Sequence, residues 1–331
     1  MTRMSLPPPP VPEMNSLGDV LATKTEERRK IICFSDFDGT IFMQDTGHIL
    51  FDSHGCGSHR REILDGQIRS GERSFREVSE EMWGSLNVPF EDGFEVMEKA
   101  LDIDVDFHVF HDFCVKNKIP FNVISAGLKP VLRRVLDTFL GEEASSRINI
   151  VANDAEINHN GSEWRPIWRH DTELGHDKAI SIQEARKEAE LECEDGTIPL
   201  IVFIGDGVSD LPAAREADVL FARRGLHLEE FCVEHGIPYV PFDTFADIQR
   251  KLENIMDEDV KKTGGKGKPV LFNPRANLWR RVSSQAAVPR YLAMSPTREE
   301  KIFLWPEAFS ALKSSPAVET SELIVPLGAQ V

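Results

Sequence analysis

Two aspartates at the end of one predicted strand are the residues of this sequence best suited to chemistry. An apolar run at residues 31–35 is followed by Asp36 and Asp38, and then by Gly39 and Thr40. A short, continuous apolar run is typical of a buried strand in a parallel sheet. An aspartate at its tip can attack phosphorus, and a second carboxyl group can transfer the leaving group's proton. Thr40 can form a local hydrogen bond and fix the loop. The alternative is a strand-end Asx turn without chemistry.

A second pair of carboxylates follows another apolar run, at residues 200–204. Asp206 and Asp210 lie in the segment GDGVSD, which leads into a predicted helix. Together with Asp36 they would form a cluster of like charge, and such a cluster requires a hard cation. Mg²⁺ fits because it binds few carboxylates, keeps several waters and accepts a phosphate oxygen. The alternative is a helix N-cap followed by a turn.

Two further positions are candidates for binding phosphate. Ser125 ends a predicted strand, and its hydroxyl with the backbone N–H groups of Ala126 and Gly127 can hold a phosphoryl oxygen. Lys178 begins a predicted helix, where the helix dipole disfavours a cation. That position indicates a role in neutralising the nucleophile and the phosphate. The alternatives are a strand-end cap for Ser125 and a surface position for Lys178.

The elements that must position these residues alternate between strand and helix. Strands are predicted at residues 31–35, 120–124, 148–152, 200–204, 219–222 and 239–240. Helices are predicted at residues 107–116, 130–140, 178–192, 211–216, 226–235 and 245–256. A hairpin is predicted at 156–169 around Asn160 and Gly161. This alternation predicts an α/β fold with a parallel sheet, helices on both faces, and ligands at the carboxyl ends of the strands.

The segment between the first two strands, residues 45–105, predicts helices only. One helical run begins at Ser74 and places four apolar residues on one face: Phe75, Val78, Met82 and Leu86. The segment is therefore predicted to be a helical insertion into the α/β fold.

The composition of the chain limits which kinds of partner and which cellular compartment are expected. The chain of 331 residues carries a formal net charge of −17, which argues against nucleic acid or an anionic membrane as the main partner. Its five cysteines are widely spaced and form no CxxC pair, so a reducing compartment is expected. No apolar run is long enough to span a membrane, and prolines 7–10 stand where a signal peptide needs an apolar core. By elimination we expect a cytoplasmic protein, with the nucleus as the alternative.

The four motifs, in this order, resemble those of the haloacid dehalogenase superfamily of phosphatases. They are DFDGT at 36–40, Ser125, Lys178, and GDGVSD at 205–210. The resemblance covers residues 30–256 and implies a Rossmann-like core with an inserted helical cap of the C1 type.

The predicted organisation is a Pro-rich disordered leader, a core in two segments, a cap, and a basic linker with a largely irregular tail. Their bounds are 1–28 for the leader, 29–44 and 106–256 for the core, 45–105 for the cap, and 257–331 for the linker and tail.

The resemblance also implies a role for each matching residue. Asp36 would be the nucleophile and Asp38 the acid and base. Mg²⁺ would be held by Asp36, the backbone carbonyl of Asp38, and Asp206, with Asp210 in a supporting position. Ser125 and Lys178 would bind phosphate.

Within the superfamily the chain is most similar to the phosphoserine-phosphatase-like group, and in particular to fungal members that act on sugar-alcohol phosphates. Asp45 stands where phosphoserine phosphatases carry a substrate-binding Glu. Glu80 stands near their cap Arg, and Ser209 replaces an Asn. These differences favour a polyhydroxylated leaving group that hydrogen-bonds to Asp45. The alternatives are a phosphoserine or phosphoprotein phosphatase, and a non-enzymatic scaffold that binds a protein partner through its tail.

Overall fold

The computed structural model describes residues 28–193, 197–265 and 267, and within them one sheet of seven strands. The strands are β1 Ile31–Ser35, β2 Phe121–Leu128, β3 Asn149–Ile157, β4 Trp164–Ile167, β5 Leu200–Gly205, β6 Val219–Arg223 and β7 Val240–Phe242. They are ordered β4-β3-β2-β1-β5-β6-β7. All neighbours are parallel except β3 and β4, which form an antiparallel hairpin. Each edge strand contains a proline, Pro166 in β4 and Pro241 in β7. The predicted α/β fold is confirmed.

The helices of the described residues fall largely where the sequence places them. They are α1 Thr46–His54, α2 Ser58–Ser70, α3 Phe75–Gly84, α4 Phe90–Ala100, α5 Phe107–Lys116, α6 Lys129–Leu140, α7 Glu142–Ser146, α8 Lys178–Glu192, α9 Leu211–Glu216, α10 His227–Glu234 and α11 Phe245–Thr263. Helices α5, α8 and α9 have the predicted bounds. Strand β2 continues through Ser125 to Leu128, beyond its predicted end, because its last residues still pair with β3.

The central strand β1 is buried on both faces, which explains its continuous apolar sequence. Ile31 and Cys33 belong to the core that includes residues of α5, α6 and α11. Ile32 and Phe34 belong to the opposite core, which includes residues of α8, α9 and α10. A strand that alternates between two cores has no polar face, so it shows no period-2 pattern.

Helices α1 to α4 form a helical block that interrupts the chain between β1 and α5. Its two linkers to the sheet run side by side: Met43 N–H donates to the Asp102 carbonyl at 2.9 Å, and Asp104 N–H to the Ile41 carbonyl at 2.8 Å. The predicted helix start at Ser74 is confirmed, because Ser74 and Glu77 form a reciprocal capping box. The predicted apolar face of α3 is buried at Val78 and Met82.

The hairpin of β3 and β4 also contacts the helical block. Trp164 of β4 is buried, and its indole N–H donates to the Val88 carbonyl at 2.9 Å. Its ring is parallel to that of Trp83 in α3, with centroids 6.3 Å apart. The block is therefore held to the sheet by two linkers and by this hairpin.

The carboxyl-terminal boundary predicted at Met256 is wrong. Helix α11 continues to Thr263, so the predicted linker does not begin at residue 257. Asp259, in this additional turn, accepts hydrogen bonds from the Arg29 guanidinium at 2.5 and 2.8 Å. The predicted disordered leader, apart from Arg28, and the predicted tail beyond residue 267 lie outside the described residues. No helix in the described part of the chain has the length and apolar character needed to cross a membrane.

Candidate functional site

The candidate site lies at the carboxyl ends of the neighbouring strands β1 and β5. Ser35 is paired with Ile204, so Asp36 and Asp206 leave the sheet side by side. Carboxylate oxygens of Asp36, Asp206 and Asp210 lie within 4.8 Å of one another. The predicted acidic cluster is therefore observed.

Two glycines allow these carboxylates to approach the backbone. Gly39 has a φ of +81°, and a Cβ atom there would overlap the Asp206 carboxylate. A Cβ atom at Gly205 would overlap the carboxylate of Asp210. The Thr40 hydroxyl donates to Asp206 Oδ1 at 2.7 Å, so Thr40 fixes a carboxylate rather than only its own loop.

Lys178 is the cation of the cluster. Its Nζ atom lies 2.8 Å from Asp36 Oδ1 and 2.8 Å from Asp210 Oδ1, and the residue is only 3% exposed. Burial alone lowers the pKa of Lys178, but Asp210 and Asp36 together raise this pKa above its ordinary value. The amino group is therefore charged. The unfavourable helix-start position is offset by Asp177, whose side chain caps the N–H of Ala179 at 2.9 Å.

The hydrogen bonds of Asp210 differ from those of the other two carboxylates, Asp36 and Asp206. Asp210 Oδ1 accepts from Lys178, and Oδ2 accepts from the backbone N–H groups of Asp206 and Gly207 at 3.0 and 3.1 Å. Asp210 therefore holds the loop and the lysine. Within the described residues, Oδ2 of Asp36 and Oδ2 of Asp206 accept no hydrogen bond, because the contacts of both residues are to Oδ1. This donor set fits a hard cation such as Mg²⁺, held by Asp36 and Asp206.

The electrostatics agree with a cation site. Burial and the neighbouring Asp210 and Asp206 raise the pKa of Asp36 well above its ordinary range, against the opposing effect of Lys178. Burial, with Asp210, raises the pKa of Asp206 to about 6. A bound divalent cation favours the ionised form of both groups and lowers both pKa values.

Asp38 lies in a different environment from Asp36. Its Oδ1 accepts the N–H of Thr46 at 2.8 Å, at the first turn of α1. Burial, followed by the charge of Asp45, raises the pKa of Asp38 to about 8. The carboxyl group is therefore largely protonated at neutral pH.

Asp45 stands beside Asp38 at the entrance to the helical block. Its Oδ1 caps α1 by accepting the N–H of His48 at 2.7 Å. The His48 Nε2 atom lies 3.9 Å from Asp45 Oδ2 and 3.8 Å from Asp65 Oδ2. These separations exceed direct hydrogen bonds, so the three side chains keep hydrogen-bonding capacity for a further polar group.

Ser125 lies where β2 leaves its regular pairing. The N–H of Gly127 donates to Ser125 Oγ at 3.0 Å, so the hydroxyl proton is free to point elsewhere. The neighbouring strand register pairs Ser35 with Val123, which brings the end of β2 beside Asp36. The predicted positions 125–127 thus lie along the same edge of the sheet as the acidic cluster.

Sequence reasoning missed three residues that support the site. His176 contacts the Ser125 carbonyl through Nδ1 at 2.6 Å, and Asn153 Nδ2 donates to the Ala126 carbonyl at 2.8 Å. Arg223 donates to the Thr40 carbonyl at 2.6 Å and to Asp104 Oδ2 at 2.9 Å. Proximity of His176 to Lys178 was a usable signal. The other two contacts join residues far apart in sequence and left no local signal.

Glu80, which the sequence alignment placed near the cap Arg of phosphoserine phosphatases, lies on α3. Its Oε1 accepts the indole N–H of Trp168 at 2.7 Å, and the nearby Arg76 pairs with Asp171. Glu80 thus joins the helical block to the segment after β4.

Comparison with known proteins places this site in a family. A family model for haloacid dehalogenase-like hydrolases matches residues 33–215. Pdp3-interacting factor 1 of Schizosaccharomyces pombe is 36% identical over 229 residues, which are 69% of this chain and 97% of that protein. Polyol phosphate phosphatase PYP1 of Saccharomyces cerevisiae is 34% identical over 229 residues, which are 69% of this chain and 94% of that protein.

A solved structure shares the fold. A probable phosphoserine phosphatase from Vibrio cholerae aligns with a TM-score of 0.53 over 71% of this chain and 69% of that chain, at 14% identity. The predicted resemblance is confirmed, and the chain belongs to the haloacid dehalogenase-like hydrolases as a phosphatase of that family.

Proposed function

We propose that this chain hydrolyses a small phosphate monoester through an aspartyl-phosphate on Asp36. The observation that carries the proposal is the meeting of Asp36, Asp206 and Lys178 at the ends of β1 and β5. Lys178 contacts Oδ1 of Asp36, so Oδ2 remains available for a different partner. A buried carboxylate with a fixed cation beside it suits nucleophilic attack on a phosphoryl group.

In the first step a carboxylate oxygen of Asp36 forms a bond to phosphorus, and the bond from phosphorus to the leaving oxygen breaks. Asp38, protonated in its buried position, donates its proton to that oxygen. In the second step Asp38 takes a proton from water, whose oxygen bonds to phosphorus while the bond to Asp36 breaks. Inorganic phosphate leaves, and both aspartates return to their starting states.

The remaining residues bind and orient the phosphoryl group. The Ser125 hydroxyl oxygen already accepts from Gly127, so its proton can be donated to a phosphoryl oxygen. Lys178 balances the negative charge that the reaction gathers at Asp36. Mg²⁺ held by Asp36, Asp206 and the backbone carbonyl of Asp38 would neutralise phosphoryl charge. Asp210 and Thr40 keep Lys178 and Asp206 in place.

For the substrate we propose a sugar-alcohol phosphate or a similar polyhydroxylated phosphate monoester. Asp45 and His48 present polar atoms beside Asp38, where the leaving group must be protonated. By the resemblance, Glu80 stands near the position where phosphoserine phosphatases carry an Arg for the substrate carboxylate, which disfavours phosphoserine. A relative named as a polyol phosphate phosphatase supports the same choice.

The test measures phosphate release from 4-nitrophenyl phosphate, and from a panel of phosphorylated polyols, sugars, amino acids and nucleotides, with Mg²⁺ and with EDTA. We expect Mg²⁺-dependent release, fastest with a polyol phosphate, and a loss of at least about a thousandfold in Asp36→Asn because the nucleophile is removed. Asp92→Asn, the same change at an exposed position of α4, is the matched control and should retain activity. Equal rates for Asp36→Asn and the wild-type protein would refute the mechanism.

A protein partner for the carboxyl-terminal tail is a separate proposal. The interaction in the name of the S. pombe relative belongs to that protein. For this chain, the predicted partner would bind the tail at residues 257–331, most of which lies outside the described part of the structure.

A further inference from the structure

The backbone of Ser125 and Ala126 needs hydrogen-bond partners from outside the sheet. Strand β2 pairs Ile124 with Val151 and then Leu128 with Asn153, so extra residues of β2 bulge out of the ladder. Buried carbonyl groups in such a bulge must find other donors. The Ala126 carbonyl accepts from Asn153 Nδ2 at 2.8 Å, and the Ser125 carbonyl contacts His176 Nδ1 at 2.6 Å.

The hydrogen bonds around His176 assign its tautomer. A carbonyl oxygen can only accept, so Nδ1 carries the proton that is donated to Ser125. In the neutral ring Nε2 then accepts from the Ser181 hydroxyl at 2.9 Å. The Ser181 oxygen in turn accepts from Arg169 Nε at 3.1 Å. A single direction of donation therefore runs from Arg169 through Ser181 and His176 to the Ser125 carbonyl.

His176 has no access to reacting atoms. The residue is 3% exposed, and both ring nitrogens are engaged by Ser125 and Ser181. Burial lowers the pKa of His176 to about 3, so the ring stays neutral in the working range of pH. These contacts exclude a role in proton transfer to substrate.

The position of His176 joins two phosphate-side groups of the site. Two residues after His176, Lys178 contacts Asp36 at 2.8 Å. The segment 176–178 therefore contacts the end of β2 through His176 and the acidic cluster through Lys178. A shift of this segment would move the Ser125 hydroxyl and the Lys178 amino group relative to each other.

We propose that His176 is a positioning residue, whose Nδ1–H fixes the Ser125 carbonyl and so aims the Ser125 hydroxyl at the phosphoryl group. The inference rests on the proposed function, because it assigns Ser125 to phosphate. In this role His176 affects the affinity for phosphate, whereas a histidine that only fills the core would not.

Two substitutions of His176 distinguish the effect of losing the Nδ1 donor from the effect of losing the ring. Asparagine places an amide N–H near the position of Nδ1, whereas glutamine places its amide near Nε2. With Mg²⁺ present, we would measure the Kd of inorganic phosphate by calorimetry and the KM for 4-nitrophenyl phosphate. Circular dichroism with urea unfolding checks that each variant is fully folded under the assay conditions, because partial unfolding would itself raise the apparent Kd and KM.

We expect His176→Gln to raise the phosphate Kd and the KM by about tenfold or more, because a small misplacement of a binding group is costly. His176→Asn should stay within about threefold of the wild-type protein. His111→Gln is the matched control, since His111 is equally buried but lies on α5 against Phe107 and Phe121. It should leave both constants unchanged.

Wild-type constants for His176→Gln, or equal weakening by the Asn and Gln variants, would overturn the positioning role. A wild-type protein that neither binds phosphate nor hydrolyses the aryl ester would instead overturn the proposed function, and this inference with it. The two failures are distinguishable because the first requires a working wild-type enzyme.

Discussion

Asp36 and Asp38 are identical side chains two positions apart, and they lie in different surroundings. Lys178 lies 2.8 Å from Asp36, whereas Asp38 faces the first turn of α1 and the charge of Asp45. Burial raises the pKa of both carboxyl groups, but Lys178 contacts Asp36 directly and opposes the rise there. A divalent cation at the acidic cluster would lower the pKa of Asp36 further, as the proposed role of nucleophile requires.

The assignment of Asp38 predicts a dependence on the leaving group. Asp38→Asn should lower kcat/KM for an alkyl phosphate such as glycerol phosphate by about a hundredfold or more, because an alkoxide needs a proton to leave. With 4-nitrophenyl phosphate, whose leaving group is stable as an anion, the loss should be at least about tenfold smaller. Steady-state kinetics with both substrates measure the ratio. The same loss for both would show that Asp38 does not protonate the leaving group.

At the scale of residues, the sequence motifs predicted which side chains come together at the site. Asp36, Asp38, Ser125, Lys178, Asp206 and Asp210 all lie at the carboxyl edge of the sheet. The contact of Lys178 with Asp210 could not be predicted, because it depends on how α8 and the loop after β5 pack. Asn153 and Arg223 were missed for the same reason, since each binds a backbone carbonyl that is far away in sequence.

At the scale of elements, the linkers of the helical block depend on one buried ion pair. Arg223, at the end of β6, contacts both Asp104 of one linker and the carbonyl of Thr40 that precedes the other. Asp104 also accepts the N–H of Phe245 at the start of α11. The two linkers, β6 and α11 therefore meet at a single pair of side chains.

Arg223→Met should destabilise the protein by about 3–5 kcal/mol, because it leaves the Asp104 carboxylate buried without its cation. Urea unfolding followed by circular dichroism measures the free energy of unfolding. Arg224→Met is the matched control: the neighbouring Arg224 pairs with Asp243 at an exposed position, so its loss should cost less than about 1 kcal/mol. Similar losses for the two variants would contradict the importance of the buried pair.

Element types were largely predictable from hydrophobic patterns, while several element ends were not. Helices α5, α8 and α9 have the predicted bounds. Strand β2 and helix α11 run further than predicted. For the strand, pairing with β3 extends the element beyond its local signal. For the helix, the local end signal lies further along the chain than predicted, at Lys261, Lys262 and the left-handed Gly264.

At the scale of the whole molecule, the extra turns of α11 define where the chain can be shortened. A protein that ends at Gly267 should match the full chain in melting temperature and activity. A protein that ends at Met256 loses Asp259 and its half-buried contact with Arg29, so its melting temperature should fall by about 2–4 °C or more. Differential scanning calorimetry and the aryl phosphate assay compare the two. Lost activity in the longer version would show that residues beyond 267 serve the catalytic site.

The prolines of the two edge strands carry a consequence for the behaviour of the protein in concentrated solution. Pro166 in β4 and Pro241 in β7 have no N–H to donate, so each edge lacks a complete row of donors for an incoming strand. Proline in an edge strand disfavours pairing with a strand of another molecule. At high concentration, we therefore expect both edges of the described sheet to resist edge-to-edge association.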